Sequence, residues 1–154
     1  MIYCNDYVRL TKGYLRNMVY YQVAISNMKE DLKEMEDSLG DAKIASYEPN
    51  PGGQNELNGV ESRADKAIRY KEQAKQVQKL ERQVQKIERC IDKLPADQKD
   101  AVKMYYLYRQ SYDEMVSSLH ISHSTCRRRV NGGTKAVAMM LFGERAGEQI
   151  QFAS

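Results

Sequence analysis

Three consecutive arginines, Arg127–Arg129, lie in a window without acidic residues that extends from Met115 to Gly143. Lys135 adds a fourth cation to this window, whereas the segment from Lys29 to Lys93 mixes both signs densely. A guanidinium group can bind guanine O6 and N7 together or grip a phosphate. The local basic stretch therefore predicts a nucleic-acid contact, and a merely solvated helix face is the alternative interpretation.

The elements that must position these arginines are two short helices with serine caps. Ser111 and Glu114 have the spacing of a capping box, and Ser122 offers a second N-cap. Two short capped helices separated by about three residues are typical of a helix-turn-helix, whose second helix enters the major groove amino terminus first. Arg129 is expected to face the protein more than its neighbours do. The predicted contacts to double-stranded DNA are Ser122, His123, Ser124, Arg127, Arg128 and Lys135.

The other reactive residue types form no catalytic pattern. The sequence has no glycine-rich phosphate loop, no serine elbow and no His–carboxylate constellation at meaningful spacing. His120, His123 and Cys126 lack a second ligand cluster, and Cys126 occupies an apolar position, so a zinc site is not predicted. Most of the eleven tyrosines fall at helical core spacing rather than as a base-stacking platform. We expect no enzyme activity, no cofactor, no metal and no small-molecule substrate.

A long amphipathic pattern precedes the basic segment. From about Asp6 to Leu39 the apolar residues alternate spacings of three and four, which is the coiled-coil period, and Gly40 is expected to end that helix. Residues 40–59 predict a flexible loop, and helix resumes near Val60. The two helices can pair within one chain or between two chains. The predicted packing or oligomerisation seam is Met18, Tyr21, Ile25, Met28, Leu32, Met35, Val77, Leu80, Val84, Ile87 and Ile91.

These patterns predict an all-α protein in which a long helical hairpin, a coiled-coil-like arm, precedes a small helix-turn-helix domain. The expected domains are residues 1–94, 95–143 and a tail at 144–154, with Pro95 separating the first two. Three distant cysteines give no disulfide framework, and no apolar run suits a signal peptide or a bilayer span. We therefore expect a cytoplasmic protein without a membrane partner.

Residues 94–130 also contain a more specific sequence pattern, a frame of residue types at fixed positions. Its members are Leu94-Pro95, Tyr106, Ser111-Tyr112, Glu114-Met115-Val116, Leu119, Ile121-Ser122, Ser124-Thr125-Cys126 and Val130. This frame resembles the promoter-reading C-terminal domain of bacterial sigma factors. Two departures stand out: the turn glycine of that family is His120 here, and Gly132-Gly133 interrupts the recognition helix at a cost of about 1 kcal/mol per glycine. We therefore expect a short recognition helix and a dimer for tight binding.

The whole-chain layout resembles the phage and prophage ArpU/RinA-type regulators, which are associated with activation of late genes. That resemblance implies a transcriptional regulator in the cytoplasm of a bacterial host, with RNA polymerase as a further candidate partner. Three alternatives remain open: the small subunit of a phage terminase, an adaptor whose basic helix docks on an acidic protein, and a sigma-like accessory that binds RNA polymerase first. A complete sigma factor is not expected, because nothing resembles the promoter-melting domain.

Overall fold

The computed structural model describes residues 6–45 and 62–146, and these residues form helices without any β-strand. The helices are α1 (Asp6–Ala45), α2 (Arg63–Asp92), α3 (Ala96–Val102), α4 (Tyr112–Leu119) and α5 (His123–Phe142), and α3 continues as one π-helical turn over Lys103–Leu107. The predicted all-α class with a carboxy-terminal helix-turn-helix is confirmed. None of the described helices is long and apolar enough to cross a membrane.

The described residues form two compact units. The hairpin unit contains residues 22–45 and 62–82, and the helix-turn-helix unit contains residues 6–21 and 83–146. Both α1 and α2 therefore contribute residues to each unit. The division into domains at 1–94, 95–143 and 144–154 stays a prediction.

In the hairpin unit, the later part of α1 and the earlier part of α2 run antiparallel. The Lys29 ammonium forms an ion pair with the Glu81 carboxylate, while the residues of α1 near Met35 line a shallow cleft with the residues of α2 near Arg69. Met28 and Met35 are only half-buried, because each of two paired helices covers one side of its neighbour's seam. That a second copy covers the remaining side stays a prediction.

Gly40 does not end the first helix as expected. The helix α1 continues through Gly40 to Ala45, and Gly40 does not adopt a left-handed φ. A glycine inside a helix costs about 1 kcal/mol relative to alanine, which a long helix with a packed seam tolerates. Of the predicted flexible loop at 40–59, residues 40–45 are helical, and residues 46–59 lie outside the described residues.

The core of the helix-turn-helix unit contains residues from each of the helices α1 to α5. Met18 of α1 and Ile87 of α2 are fully buried there, although the sequence pattern assigns both to the arm seam. The Tyr7 and Phe142 rings lie 5.0 Å apart and bring the start of α1 to the end of α5. The other large buried side chains of this unit include Leu15, Val84, Ile91, Val102, Tyr106, Met115, Val130 and Val137.

The glycine pair in α5 does not interrupt the helix, so the expectation of a short recognition helix is wrong. The helix runs unbroken from His123 to Phe142. A methyl group added at Gly133 would lie 2.5 Å from Val102 Cγ2 and 3.4 Å from the Gln98 carbonyl oxygen. Gly133 therefore allows α3 to pack directly against the backbone of α5.

Candidate nucleic-acid interface

The start of α4 is fixed by a complete capping box. The Ser111 hydroxyl accepts a hydrogen bond from the Glu114 amide at 3.2 Å, and the Glu114 carboxylate accepts one from the Ser111 amide at 3.0 Å. Two amides that a helix end would otherwise leave without partners are thereby satisfied. The first helix of the turn consequently begins at a defined residue.

The turn between α4 and α5 is made by His120, which adopts a left-handed conformation with φ 55° and ψ 41°. Its amide donates to the Val116 carbonyl at 3.0 Å and closes α4. A glycine would reach the same conformation without steric cost, whereas histidine is one of the side chains that enter it more readily than most. The turn therefore has the backbone geometry that a glycine would adopt at this position, although the residue is histidine.

We expect a His120→Gly variant to be more stable than the wild-type protein, by up to about 1 kcal/mol. Relief of left-handed strain, about 1–2 kcal/mol, exceeds the extra entropy that glycine gives to the unfolded chain, about 0.4–1 kcal/mol. Urea denaturation followed by circular dichroism measures the difference. Ser118→Gly is the control, because it places glycine at an exposed position inside α4 and should cost about 0.5 kcal/mol. Equal losses in both variants would show that the turn carries no strain at His120.

The amino terminus of α5 is capped by Ser122. Its hydroxyl accepts from the Thr125 amide at 3.2 Å and lies 2.9 Å from the Thr125 hydroxyl and 3.1 Å from that of Ser124. This cluster of hydroxyl groups is exposed, and the helix dipole adds a partial positive charge at the same place. A phosphate oxygen is the kind of group that such a helix end accommodates.

The predicted contacts on α5 lie on one exposed face of that helix. His123, Ser124, Arg127, Arg128 and Lys135 are all exposed. At 100° per residue these positions fall within an arc of about 140°. Arg128 lies opposite the buried stripe that contains Cys126, Val130 and Val137, and His123 borders that stripe.

Arg129, by contrast, is directed toward the protein. Its side chain is half-buried, and its Nε lies 3.8 Å from an Asp97 carboxylate oxygen. Of the three consecutive arginines, Arg127 and Arg128 therefore remain for an external partner.

Two residues of α4 contribute to this surface and were not singled out from the sequence as contacts. The Arg127 guanidinium lies 5.7 Å from the centre of the Tyr112 ring, which in turn stacks on the Tyr105 ring at 4.9 Å. Burial, together with the neighbouring Tyr105, raises the pKa of Tyr112 to about 12, so its ring stays neutral under Arg127 at neutral pH. A cation over a neutral aromatic face is held in place by the ring quadrupole.

The second of these residues, Asp113, lies opposite the start of α5. The His123 Nε2 atom is 2.8 Å from an Asp113 carboxylate oxygen. This contact bridges the two helices of the motif and fixes the imidazole at the exposed amino terminus of α5. The capping-box spacing places Asp113 in the first turn of α4, but its proximity to His123 depends on the turn between the helices.

Two linked hydrogen bonds lie on the buried side of the motif. The Tyr106 and Thr134 hydroxyl oxygens are 3.3 Å apart, and the Thr134 hydroxyl also donates to the Val130 carbonyl at 2.7 Å. Because the threonine proton is used there, the tyrosine hydroxyl donates to the threonine oxygen. Burial raises the pKa of Tyr106 and keeps this donor protonated. The π-helical turn is thereby fixed against the middle of α5.

Metal-binding residue types do not converge around this surface. Within residues 6–45 and 62–146, no three His, Cys, Asp or Glu side chains are placed to hold a metal ion. Cys126 is fully buried, whereas His120 and His123 are exposed. Besides the Asp113 carboxylate beside His123, the surface offers cations, hydroxyl groups and a capped helix end as its functional groups.

Comparison with known protein families gives one match. Residues 84–133, about a third of the chain, match the family model described as Sigma-70, region 4. Comparisons with curated proteins and with solved structures gave no match. The matched segment contains Ser111, His120 and Ser122 together with the three arginines. The site formed by α4 and α5 is thus similar to region 4 of sigma-70 factors, a DNA-binding helix-turn-helix domain and not a catalytic one.

Proposed function

We propose that this protein binds double-stranded DNA with sequence specificity through α4 and α5 and regulates transcription. The observation that carries the proposal is the exposed face of α5, in which Arg127 and Arg128 follow an amino terminus capped by Ser122. An α-helix fits the width of the major groove, and this face presents donors that match base edges and phosphates. The similarity of residues 84–133 to Sigma-70, region 4 supports the same function.

The individual contacts have different roles in this proposal. Arg127 and Arg128 read base edges or grip phosphates, with His123 and Ser124 beside them in the first turn of α5. Ser122, at the helix end, and Lys135, about three and a half turns further along, anchor backbone phosphates.

The finer proposal is a late-gene regulator of the phage ArpU/RinA type that acts in the bacterial cytoplasm. It binds as a homodimer and contacts RNA polymerase. The half-buried seam around Leu32 supports dimerisation, because a second copy would cover the apolar surface that the hairpin leaves open.

Selection of bound duplexes from a random pool tests the DNA-binding proposal. We expect an enriched motif that binds at least about 10³-fold more tightly than random duplex, with affinity that falls steeply as salt rises. The enriched duplex is then placed upstream of a reporter gene and tested as a promoter element. An adaptor protein would yield no enriched motif and no steep salt dependence, and that result would contradict the proposal.

Two further measurements separate the remaining alternatives. Light scattering over a range of concentrations determines whether the protein is a dimer or the ring expected of a terminase small subunit. Co-purification with RNA polymerase in the absence of DNA tests for the polymerase contact. A ring that supports DNA cleavage by a large-subunit partner would favour the terminase function instead.

A further inference from the structure

A cleft of about 450 Å³ lies between the beginning of α1 and the middle of α5, within the helix-turn-helix unit. Its lining residues are Val8, Arg9, Lys12, Asn131 and Lys135. Three of these five side chains are cationic, and Asn131 adds an amide that can donate. Arg9, Asn131 and Lys135 are exposed, and Lys12 is half-buried.

The three cations of this cleft differ from several other basic side chains in having no acidic partner. Within residues 6–45 and 62–146, no carboxylate forms an ion pair with Arg9, Lys12 or Lys135. Arg129, in comparison, lies beside Asp97. Like charges gathered around one cleft repel each other, and an anion that enters the cleft removes that repulsion.

The cleft continues the exposed face that carries the proposed DNA contacts. Arg128, Asn131 and Lys135 follow one another at spacings of three and four, so they form one row along α5. From Ser124 to Lys135 the helix rises about 16 Å, whereas the major groove is about 12 Å wide. With the first turn of α5 at the base edges, Lys135 would reach the sugar–phosphate backbone at the border of the groove. Arg9 and Lys12 line the same cleft as Lys135, so they would lie at that border too.

We propose that Arg9 and Lys12 of α1, with Asn131 and Lys135 of α5, form a clamp for the backbone phosphates that flank the groove read by α5. The clamp rests on the proposed function, because its ligand is the duplex that α5 binds. It assigns the first turns of α1 to the DNA interface rather than to the arm. The four side chains hold phosphates without reading bases, so they contribute affinity and orientation rather than sequence preference.

A double variant, Arg9→Gln with Lys12→Gln, tests this clamp on the duplex selected by the wild-type protein. The slope of log affinity against log salt should become less steep by about 0.9 per phosphate contact, or by about 1.8 for the pair. At 0.15 M salt this change corresponds to a loss of affinity of about 30-fold. The order of preference among duplex sequences should not change. The matched control is Lys75→Gln with Lys79→Gln, which removes two exposed charges from α2 in the hairpin unit and should leave the slope unchanged.

A second arm distinguishes the duplex backbone from free phosphate as the ligand. The selected duplex is shortened one base pair at a time, and the wild-type protein should lose affinity at the length where the flanking phosphates are removed. The Arg9/Lys12 double variant should not respond to that step, whereas a charge-preserving Arg9→Lys, Lys12→Arg variant should respond as the wild type does.

The outcomes separate the clamp from the proposed function. If the wild-type protein binds its duplex steeply in salt while the glutamine variant keeps the full slope and the response to shortening, the clamp is overturned and the function of α5 stands. If the wild-type protein binds no duplex, the proposed function fails first and the clamp fails with it. Circular dichroism establishes that each variant is folded, and the shortening series on the wild-type protein tests the clamp without any substitution.

Discussion

A Gly133→Ala variant should be less stable than the wild-type protein by about 1–3 kcal/mol, although alanine is the better helix former. The added methyl group would lie 2.5 Å from Val102 Cγ2, and Val102 is fully buried. Overpacking of this kind costs more than the roughly 1 kcal/mol that alanine gains in helix propensity. Urea denaturation followed by circular dichroism at 222 nm measures the free energy of unfolding.

The neighbouring glycine provides a matched control for this experiment. A methyl group at Gly132 would lie 3.1 Å from Gln98 Nε2, the end of a flexible side chain that can move away. We therefore expect Gly132→Ala to be neutral or more stable by up to about 1 kcal/mol. In a Val102→Ala background the cost of Gly133→Ala should shrink, because the atom that it meets is gone. A gain in stability for both glycine variants would contradict close packing of α3 on α5.

The glycine pair also shows where sequence patterns reach their limit. Intrinsic propensity considers one helix at a time, so it marks Gly132-Gly133 as a weak point in α5. The structural reason for Gly133 is Val102, about thirty residues earlier in the chain. The caps at Ser111 and Ser122 are different, because each depends on a hydroxyl and an amide three residues apart and can be predicted from local sequence.

The apolar seam of α1 illustrates a second limit. Spacings of three and four continue without a break through Met18, Met28 and Met35. In the structure Met18 is fully buried in the helix-turn-helix unit, whereas Met28 and Met35 are half-buried in the hairpin unit. Periodicity identifies the buried face of a helix but not the element that covers it. For the same reason the sequence could not place Arg9 and Lys12 beside Lys135.

The contacts between α4 and α5 could likewise not be predicted from sequence patterns. The proximity of Asp113 to His123, and of Tyr112 to Arg127, depends on the angle that the left-handed turn at His120 sets between the helices. Both contacts lie at the amino-terminal end of α5, which is the part of the surface that we propose to read DNA. A second helix, which the basic stretch alone did not indicate, therefore contacts two of the residues that we predict to bind DNA, His123 and Arg127.

An Arg127→Ala variant should bind the selected duplex about 5- to 150-fold more weakly, which corresponds to about 1–3 kcal/mol, and should lose preference at one base pair. A bidentate guanidinium distinguishes guanine from the other bases, and no other exposed group of α5 occupies the same position. Gel-shift titrations on the selected duplex and on its single-base-pair variants measure both quantities. Arg129→Ala is the control, because it removes an equal charge two residues further along α5 from a side chain directed at Asp97.

A third variant separates charge from geometry at Arg127. Tyr112→Leu keeps the arginine and its charge but removes the aromatic ring that lies beside the guanidinium. If the ring orients Arg127, this variant should weaken preference at the same base pair as Arg127→Ala while the salt slope stays near that of the wild type. If Arg127→Ala and Arg129→Ala weaken binding equally and neither changes the base preference, the arginines act only through their charge. The proposed reading of a base by Arg127 would then be withdrawn, and recognition would have to come from other side chains on the first turns of α5.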